Sequence, residues 1–353
     1  MGSQKTILVA PLHWGLGHAT RCIPIINALL KHNYNVILAS DGAALLLLQK
    51  EFPKLTSIAL PSYNITYTKK EKLLKWALIL KIPHIQKAIA SEKKVIKKLV
   101  SENRIDGIIS DNRLGVRSKK VPTAFITHQL RLLSGSTTFF SSKLHQKSIA
   151  KFDECWVPDA KQTPNLSGKL GHLRDVKFKI RYLGPLSRMK PQQATKVYDV
   201  LALLSGPEPQ RTLLEEKAIE ALKGRPVKVL LVQGVIEAEQ IMSQHDNITI
   251  VNFMGTAELE KAINESELIL SRSGYTTIMD LAAMQKKAFF IPTPGQYEQI
   301  YLAKRLKGLR IVPSCKQEDF TFEKLADVKD YTQLKKIDQE VDFKKLFRLF
   351  ERK

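Results

Sequence analysis

Cysteine is scarce in this chain of 353 residues: Cys22, Cys155 and Cys315 are the three, far apart in sequence. No two have the spacing of a metal site or a disulfide framework, so both are excluded and the thiols read as reduced. Long apolar runs are missing as well. None approaches the roughly 18 residues that a membrane-spanning helix requires. The N-terminus enters a strand almost at once, so no secretory signal is expected. Met1–Thr6 meets the loose pattern for myristoylation, but the strand that follows argues against its use. No Asp-x-Asp pair is placed to hold a catalytic divalent ion, so neither metal nor cofactor is expected. Basic residues interleaved with aromatics are also lacking, which argues against a nucleic-acid-binding module.

What is present is size and charge. The length predicts about two domains with ample core, and the apolar fraction of 44% is that of a globular protein. The net charge is +22. Up to Pro185 there are 30 Lys and Arg against 11 Asp and Glu; beyond it, 26 against 23. The first half therefore carries nearly all the excess and should meet something anionic. Lys69 to Lys98 is the densest part, with ten lysines against Glu71 and Glu92. It also holds Trp76 and an apolar run to Ile82, and Pro83 is expected to divide it into two helices. Such a segment can lie on an anionic membrane surface or pack its apolar side on a sheet with lysines in solvent.

The order of elements predicts an α/β chain. Thr6–Pro11 reads as a strand, followed by a turn through Gly15, Gly17 and His18 and a helix to Leu30. The turn lacks the third glycine of a dinucleotide fingerprint. His18 at the helix start should be neutral, because the dipole lowers its pKa, and a neutral imidazole can act as a base. Further strands are expected at 35–40, 56–60, 106–110, 123–127, 154–158 and 179–183. Polar residues follow two of them: Asp111-Asn112-Arg113 and His128-Gln129. Asp111 is a rival base, and His128 could bind acceptor or phosphate.

A turn-rich linker, 186–195, precedes a second series with strands at 197–204, 227–232, 248–253, 268–270, 288–291 and 310–312. The first of these leads into Ser205-Gly206, candidates for phosphate, although Pro207 and Pro209 reduce the N–H groups available. The most informative stretch is Ser271 to Ala303. A buried strand ends in Arg272-Ser273-Gly274 and a helix with Asp280 inside it; a second strand leads to a Pro/Gly loop and Glu298-Gln299. Strand ends and a helix start on one sheet edge suit an anion such as a diphosphate. The tail from Gln333 reads as helical, with Leu334, Ile337, Val341, Phe343, Leu346, Phe347 and Phe350.

The Arg-Ser-Gly turn, the acid in the helix and the Pro-rich loop ending in an acid-Gln pair resemble the donor site of MurG-like nucleotide-sugar glycosyltransferases, family 28 and its relatives. The Gly15 to His18 turn resembles the one that opens the first domain of that family. The resemblance implies a GT-B fold: two doubly wound Rossmann-like lobes with a cleft between them. Its parts would be an acceptor-side domain, 1–185; a linker, 186–195; a donor domain, 196–332; and a C-terminal helix, 333–353, packing back on the first lobe.

It also implies metal-independent, inverting transfer from a UDP-sugar to an acceptor glycan or glycolipid. Arg188, Ser205, Gly206, Ser273 and Gly274 would face the diphosphate, with Arg272 and Thr277 in the same donor site. Met254 would lie in the loop holding the uracil edge. Asp280 or Glu298 would take ribose or sugar hydroxyls, and Gln299 the sugar. Gly15, Gly17, Asn112 and His128 would face acceptor and phosphate, with His18 or Asp111 as base. Leu302 stands where relatives commonly have Asn. A nucleotide-sugar 2-epimerase shares the architecture and is the alternative. A cytoplasmic location is expected, with or without peripheral attachment to the inner face of the cell membrane.

Overall fold

The computed structural model describes residues 4–64 and 80–351. Among these, one compact unit comprises 4–64, 80–186 and 337–351, and a second comprises 187–336.

The first unit is a parallel sheet of seven strands: β1 (Thr6–Pro11), β2 (Asn35–Ser40), β3 (Thr56–Ala59), β4 (Gly107–Asp111), β5 (Thr123–Ile126), β6 (Glu154–Val157) and β7 (Ile180–Tyr182). Their spatial order is β3-β2-β1-β4-β5-β6-β7. Ile7, Leu8, Val9 and Ala10 are fully buried, as are Ile108 and Ile109. Unbroken apolar runs of this kind belong to parallel strands covered on both faces. Helices α1 (Gly17–Lys31), α2 (Gly42–Glu51), α3 (Ile82–Ser101) and α4 (Thr138–Ile149) connect the strands. The order reverses between β1 and β4, which opens a crevice at their C-terminal ends.

Pro83 lies in the first turn of α3, directly after a turn at Lys81, and its missing N–H costs nothing there. Ile96, Leu99 and Val100 of α3 pack against Leu8, Ile37 and Ile108, while Lys93, Lys94, Lys97 and Lys98 are exposed. This part of the basic segment therefore spends its apolar side on the core. Residues 69–79 of the Lys69–Lys98 segment lie outside the described residues.

The second unit has β8 (Tyr198–Leu203), β9 (Val229–Val232), β10 (Met242–His245), β11 (Ile248–Val251), β12 (Ser266–Ser271) and β13 (Lys287–Phe290). The order is β10-β11-β9-β8-β12-β13, parallel except for β10, which runs against β11. Its helices are α5 (Gln210–Leu222), α6 (Thr256–Asn264), α7 (Tyr275–Ala283) and α8 (Tyr297–Gly308). The reversal here lies between β8 and β12. Residues 205–206 and 272–274 thus share one crevice edge.

Two sequence expectations fail. Residues 310–312 form no strand: Arg310 has φ +56° and closes the end of α8, and only Ser314 bridges to Phe290. The tail is not helical from Gln333. Gln339 instead lies in an irregular segment, its side-chain amide donating to Tyr182 O at 3.1 Å and its Oε1 accepting from Lys161 N at 3.3 Å. The helix is α9 (Phe343–Glu351) alone. Its Phe347 and Phe350 pack within the first unit on Tyr34, and Phe350 on Trp156 at 6.1 Å between centroids.

Candidate functional site

In the first unit the crevice between β1 and β4 gathers a cluster of charged and imidazole groups. Gly15 has φ +75° and open space around it, which lets the turn after β1 swing into α1. His18 then stands in the first turn of α1, with Arg21 one turn on. Asp111 is the last residue of β4 and is fully buried. Asn112 follows it at φ +59°, a left-handed conformation that turns the chain at the sheet edge.

His18 Nδ1 lies 2.8 Å from Asp111 Oδ1. Arg21 donates to both carboxylate oxygens, through Nε to Oδ2 and Nη2 to Oδ1. Its Nη2 is also 2.7 Å from His18 Nδ1, and its Nη1 is 3.1 Å from His128 Nδ1. Asn112 Nδ2 donates to Asp111 Oδ1 at 3.1 Å. Burial works to raise the Asp111 pKa, but Arg21 and His18 overcome it and hold the carboxyl far below the usual range. Asp111 is therefore held as a carboxylate beside His18. It is the partner of His18. The His18 pKa is lowered, first by burial and further by Arg21, against the pull of Asp111. The helix dipole is not the main cause.

Arg21 was the residue that sequence reading missed. Its signal was its place three residues after His18, on the same face of a helix. A second buried group lies beside it. Arg113 donates to Glu92 Oε1 at 2.8 Å, Asp41 Oδ1 at 2.6 Å and Pro61 O at 2.6 Å, and Tyr63 donates to Glu92 Oε2 at 2.9 Å. Burial raises the Glu92 pKa despite Arg113.

In the second unit, Arg272 is 1% exposed and its guanidinium holds main-chain carbonyls: Gln210 O at 2.6 Å, Ile291 O at 3.2 Å and Pro292 O at 3.4 Å. It ties β12, β13 and α5 together. The Ser273 hydroxyl donates to Gln299 O at 2.8 Å, and Gln299 Oε1 accepts from Thr293 N at 2.8 Å. The turn and the Pro-rich loop are thus joined by their motif residues. Gly274 precedes α7, whose first turn has no side-chain cap, and Thr277 Oγ1 would lie 3.8 Å from a Cβ placed on Gly274. This leaves a helix start suited to an anion.

Asp280 lies one turn further along α7. It accepts from Ser187 Oγ at 2.7 Å, and burial raises its pKa to about 6 against the nearby Arg188 charge. Arg188 donates to Thr256 Oγ1 at 2.8 Å at the start of α6. Met254 is half-buried just before that helix, and Glu298 is half-buried in the first turn of α8. Ser205 and Gly206 are half-buried at the end of β8, with Gly206 at φ +110°. The start of α5 beyond them is occupied by Glu208, which accepts from Thr212 N at 3.2 Å and Arg211 Nε at 2.6 Å. Of the two helix starts on this edge, α7 is the one without such a carboxylate.

Among the described residues no cluster of three or more His, Cys, Asp or Glu is arranged to hold a metal, and no helix is long and apolar enough to cross a membrane.

Residues 209–347 match the glycosyltransferase family 28 C-terminal domain. The UDP-N-acetylglucosamine–N-acetylmuramyl-(pentapeptide) pyrophosphoryl-undecaprenol N-acetylglucosamine transferase of Haemophilus ducreyi is 22% identical over 259 residues, 71% of this chain and 70% of that enzyme. A glycosyltransferase of Methanosarcina acetivorans, otherwise uncharacterized, is 22% identical over 81% of this chain and 79% of its own. The glycotransferase of kitacinnamycin superposes with a TM-score of 0.62 at 12% identity, over 93% of this chain and 90% of its own. MurG of Acinetobacter baumannii does so with a TM-score of 0.51 at 14% identity, over 92% and 90%. The molecule is a glycosyltransferase of the GT-B fold. The family 28 C-terminal domain match covers most of its second unit, and the chain is similar to MurG-like glycosyltransferases.

Proposed function

We propose that the enzyme transfers a sugar from a UDP-sugar to an acceptor hydroxyl with inversion and without a metal ion, the acceptor being a glycan or glycolipid. The observation that carries this reading is the His18–Asp111 pair. A neutral imidazole whose Nδ1 faces a permanent carboxylate presents Nε2 to an acceptor O–H. Asp111 then stabilises the imidazolium as the proton arrives. The hydroxyl oxygen attacks the anomeric carbon, its proton passes to His18, and the nucleoside diphosphate leaves with the bonding pair. The uncapped start of α7, with Arg188 nearby, would meet the leaving charge. Asp280, Glu298 and Gln299 would hold ribose and sugar hydroxyls. Uridine is favoured by the likeness to the Haemophilus ducreyi transferase, whose donor is UDP-N-acetylglucosamine.

Calorimetry against a panel of nucleotides tests the donor half: UDP should bind, and Asp280→Ala with Gln299→Ala should weaken it. Equal binding by the double variant would overturn the donor site. Free epimer formed from UDP-N-acetylglucosamine without any acceptor would overturn transfer in favour of epimerisation.

A cytoplasmic enzyme attached peripherally to an anionic membrane is the second part of the proposal. It rests on α4, where Phe139, Phe140 and Leu144 are 61%, 75% and 68% exposed. Lys143 Nζ lies 4.3 Å from the Phe139 ring centre. Exposed aromatics beside lysines on a positively charged unit suit a lipid interface. Flotation with anionic vesicles should be lost in Phe139→Ser with Phe140→Ser. Absence of wild-type flotation at low salt would reject the attachment.

A further inference from the structure

The base pair of this site is a triad in its wiring, and the third member is Arg21. We propose that Arg21 is the positioning residue of the His18–Asp111 pair: it clamps the carboxylate where it takes the Nδ1 proton, and its charge keeps the imidazole neutral so that Nε2 is free to act. The inference rests on the reading of His18 as base. It adds a role for a residue that touches no substrate.

The geometry is specific. Arg21 is 2% exposed and approaches Asp111 side-on, with Nε and Nη2 on different carboxylate oxygens. A planar fork on both oxygens fixes the carboxylate plane in a way that one ammonium cannot. Oδ1 is then shared among Arg21 Nη2, Asn112 Nδ2 and His18 Nδ1. Guanidinium and amide are obligate donors there, so the carboxylate stays ionised and can accept the imidazole N–H. The same guanidinium lies 3.1 Å from His128 Nδ1 and 2.7 Å from His18 Nδ1; the His18 Nδ1 proton goes to Asp111 Oδ1, with the guanidinium committed to the carboxylate beside it.

Electrostatics points the same way. The charged and titratable groups facing His18 are Arg21 from α1, Asp111 from the end of β4 and His128 after β5, with Cys22 Sγ 3.8 Å from Asp111 Oδ2. A buried His–Asp pair without the arginine would be negative, and proton uptake by the imidazole would neutralise it. With Arg21 the resting cluster is neutral, and proton uptake leaves a net positive charge in a buried place. Arg21 therefore makes protonation of His18 harder and widens the pH range in which the base is available. The cost is a weaker base, which the held Asp111 offsets once the proton moves.

The test reads His18 itself as well as turnover. The imidazole is titrated by NMR in the wild type, Arg21→Lys and Arg21→Gln, and the pH dependence of kcat/KM is measured in parallel. Arg21→Gln should raise the His18 midpoint by about one pH unit, and the acid limb of the profile should move with it. Arg21→Lys should keep the midpoint near that of the wild type but lose roughly tenfold in kcat, because the charge remains and the fork is gone. An unchanged midpoint in folded Arg21→Gln, or full kcat in Arg21→Lys, would overturn the assignment. If Arg21→Gln does not fold, the pair is removed together: Arg21→Gln with Asp111→Asn should titrate higher than Asp111→Asn alone, and equal midpoints would overturn it. A shifted midpoint in a protein that transfers no sugar would uphold the role of Arg21 and reject glycosyl transfer.

Discussion

Ser187 donates its hydroxyl to Asp280 Oδ1 at 2.7 Å, joining the segment that enters the second unit to the acid inside its motif helix. The bond does not undo the burial of the carboxyl, which titrates at about 6. A group whose folded pKa lies above its unfolded value contributes stability that is full below the ordinary carboxylate range and is lost as pH rises through the folded value. Asp280→Asn should therefore melt higher than the wild type at pH 8 and close to it at pH 4. The gain should be about 1–2 kcal/mol, discounted because the side chain is only half-buried. UDP binding at pH 8 should weaken roughly tenfold with loss of the charged acceptor. Thermal melts across pH with parallel calorimetry check both, and a melting gain independent of pH would contradict the burial argument. Stability exchanged for binding is common at functional acids.

His18 and Asp111 should fail differently. His18→Ala removes the base and should lower kcat about 10²- to 10⁴-fold with little change in donor binding. Asp111→Asn keeps the shape but offers an amide to Nδ1 and leaves Arg21 without its anion, so it should lose activity and stability together. The wild-type acid limb should fall below the ordinary histidine value near 6.5, because the His18 pKa is lowered and neutral imidazole is the active form. Steady-state kinetics from pH 5 to 8 measures it. An acid limb above 7 would contradict the cluster, as would near-full turnover in His18→Ala.

The two arginines of the second unit should separate by role. Arg272→Met leaves the carbonyls of Gln210, Ile291 and Pro292 without their donor and should cost roughly 2–4 kcal/mol. Whatever folds should bind UDP with nearly unchanged affinity. Arg188→Met should melt almost as the wild type yet weaken UDP about tenfold, since its charge lies by Asp280 and the donor edge. Denaturant unfolding and calorimetry on both variants decide this, and the opposite pairing of effects would place Arg272 on the donor instead.

The strand–turn–helix order was legible because both sheets are parallel, and buried parallel strands such as Ile7–Ala10 and Leu268–Leu270 announce themselves as apolar runs. β10 was not legible: all four of its residues are exposed and polar or singly apolar, and only pairing with β11 makes it a strand. The tail misled because Leu334, Ile337 and Val341 keep a helical spacing, while Gln339 satisfies its amide and carbonyl oxygen on the β7 side instead. Among site residues, His18 and Asp111 could be found singly from their places at a helix start and a strand end. Their pairing could not, since 93 residues separate them. The acceptors of Arg272 were hidden for the related reason that a motif arginine and a buried structural arginine look alike in sequence.

Helix α9 seats its aromatic face directly on β4. A Cβ on Gly107 would come within 2.5 Å of Phe350 Cδ1 and 2.8 Å of Ile7 Cδ1, so β4 passes under the α9 aromatic without room for a methyl. Gly107→Ala should therefore cost about 1–3 kcal/mol through overpacking. Phe350→Ala should cost about 3–5 kcal/mol, because Phe350 is fully buried among Tyr34, Trp156 and Phe347. The two penalties have opposite causes, one methyl too many and one ring too few. The double variant should accordingly be more stable than the sum of the single losses implies, by about 1 kcal/mol, as the new methyl enters the space the ring vacates. Urea unfolding of the four proteins measures the coupling. Strict additivity would mean that Gly107 is required for the backbone of β4 and not for the seat of α9.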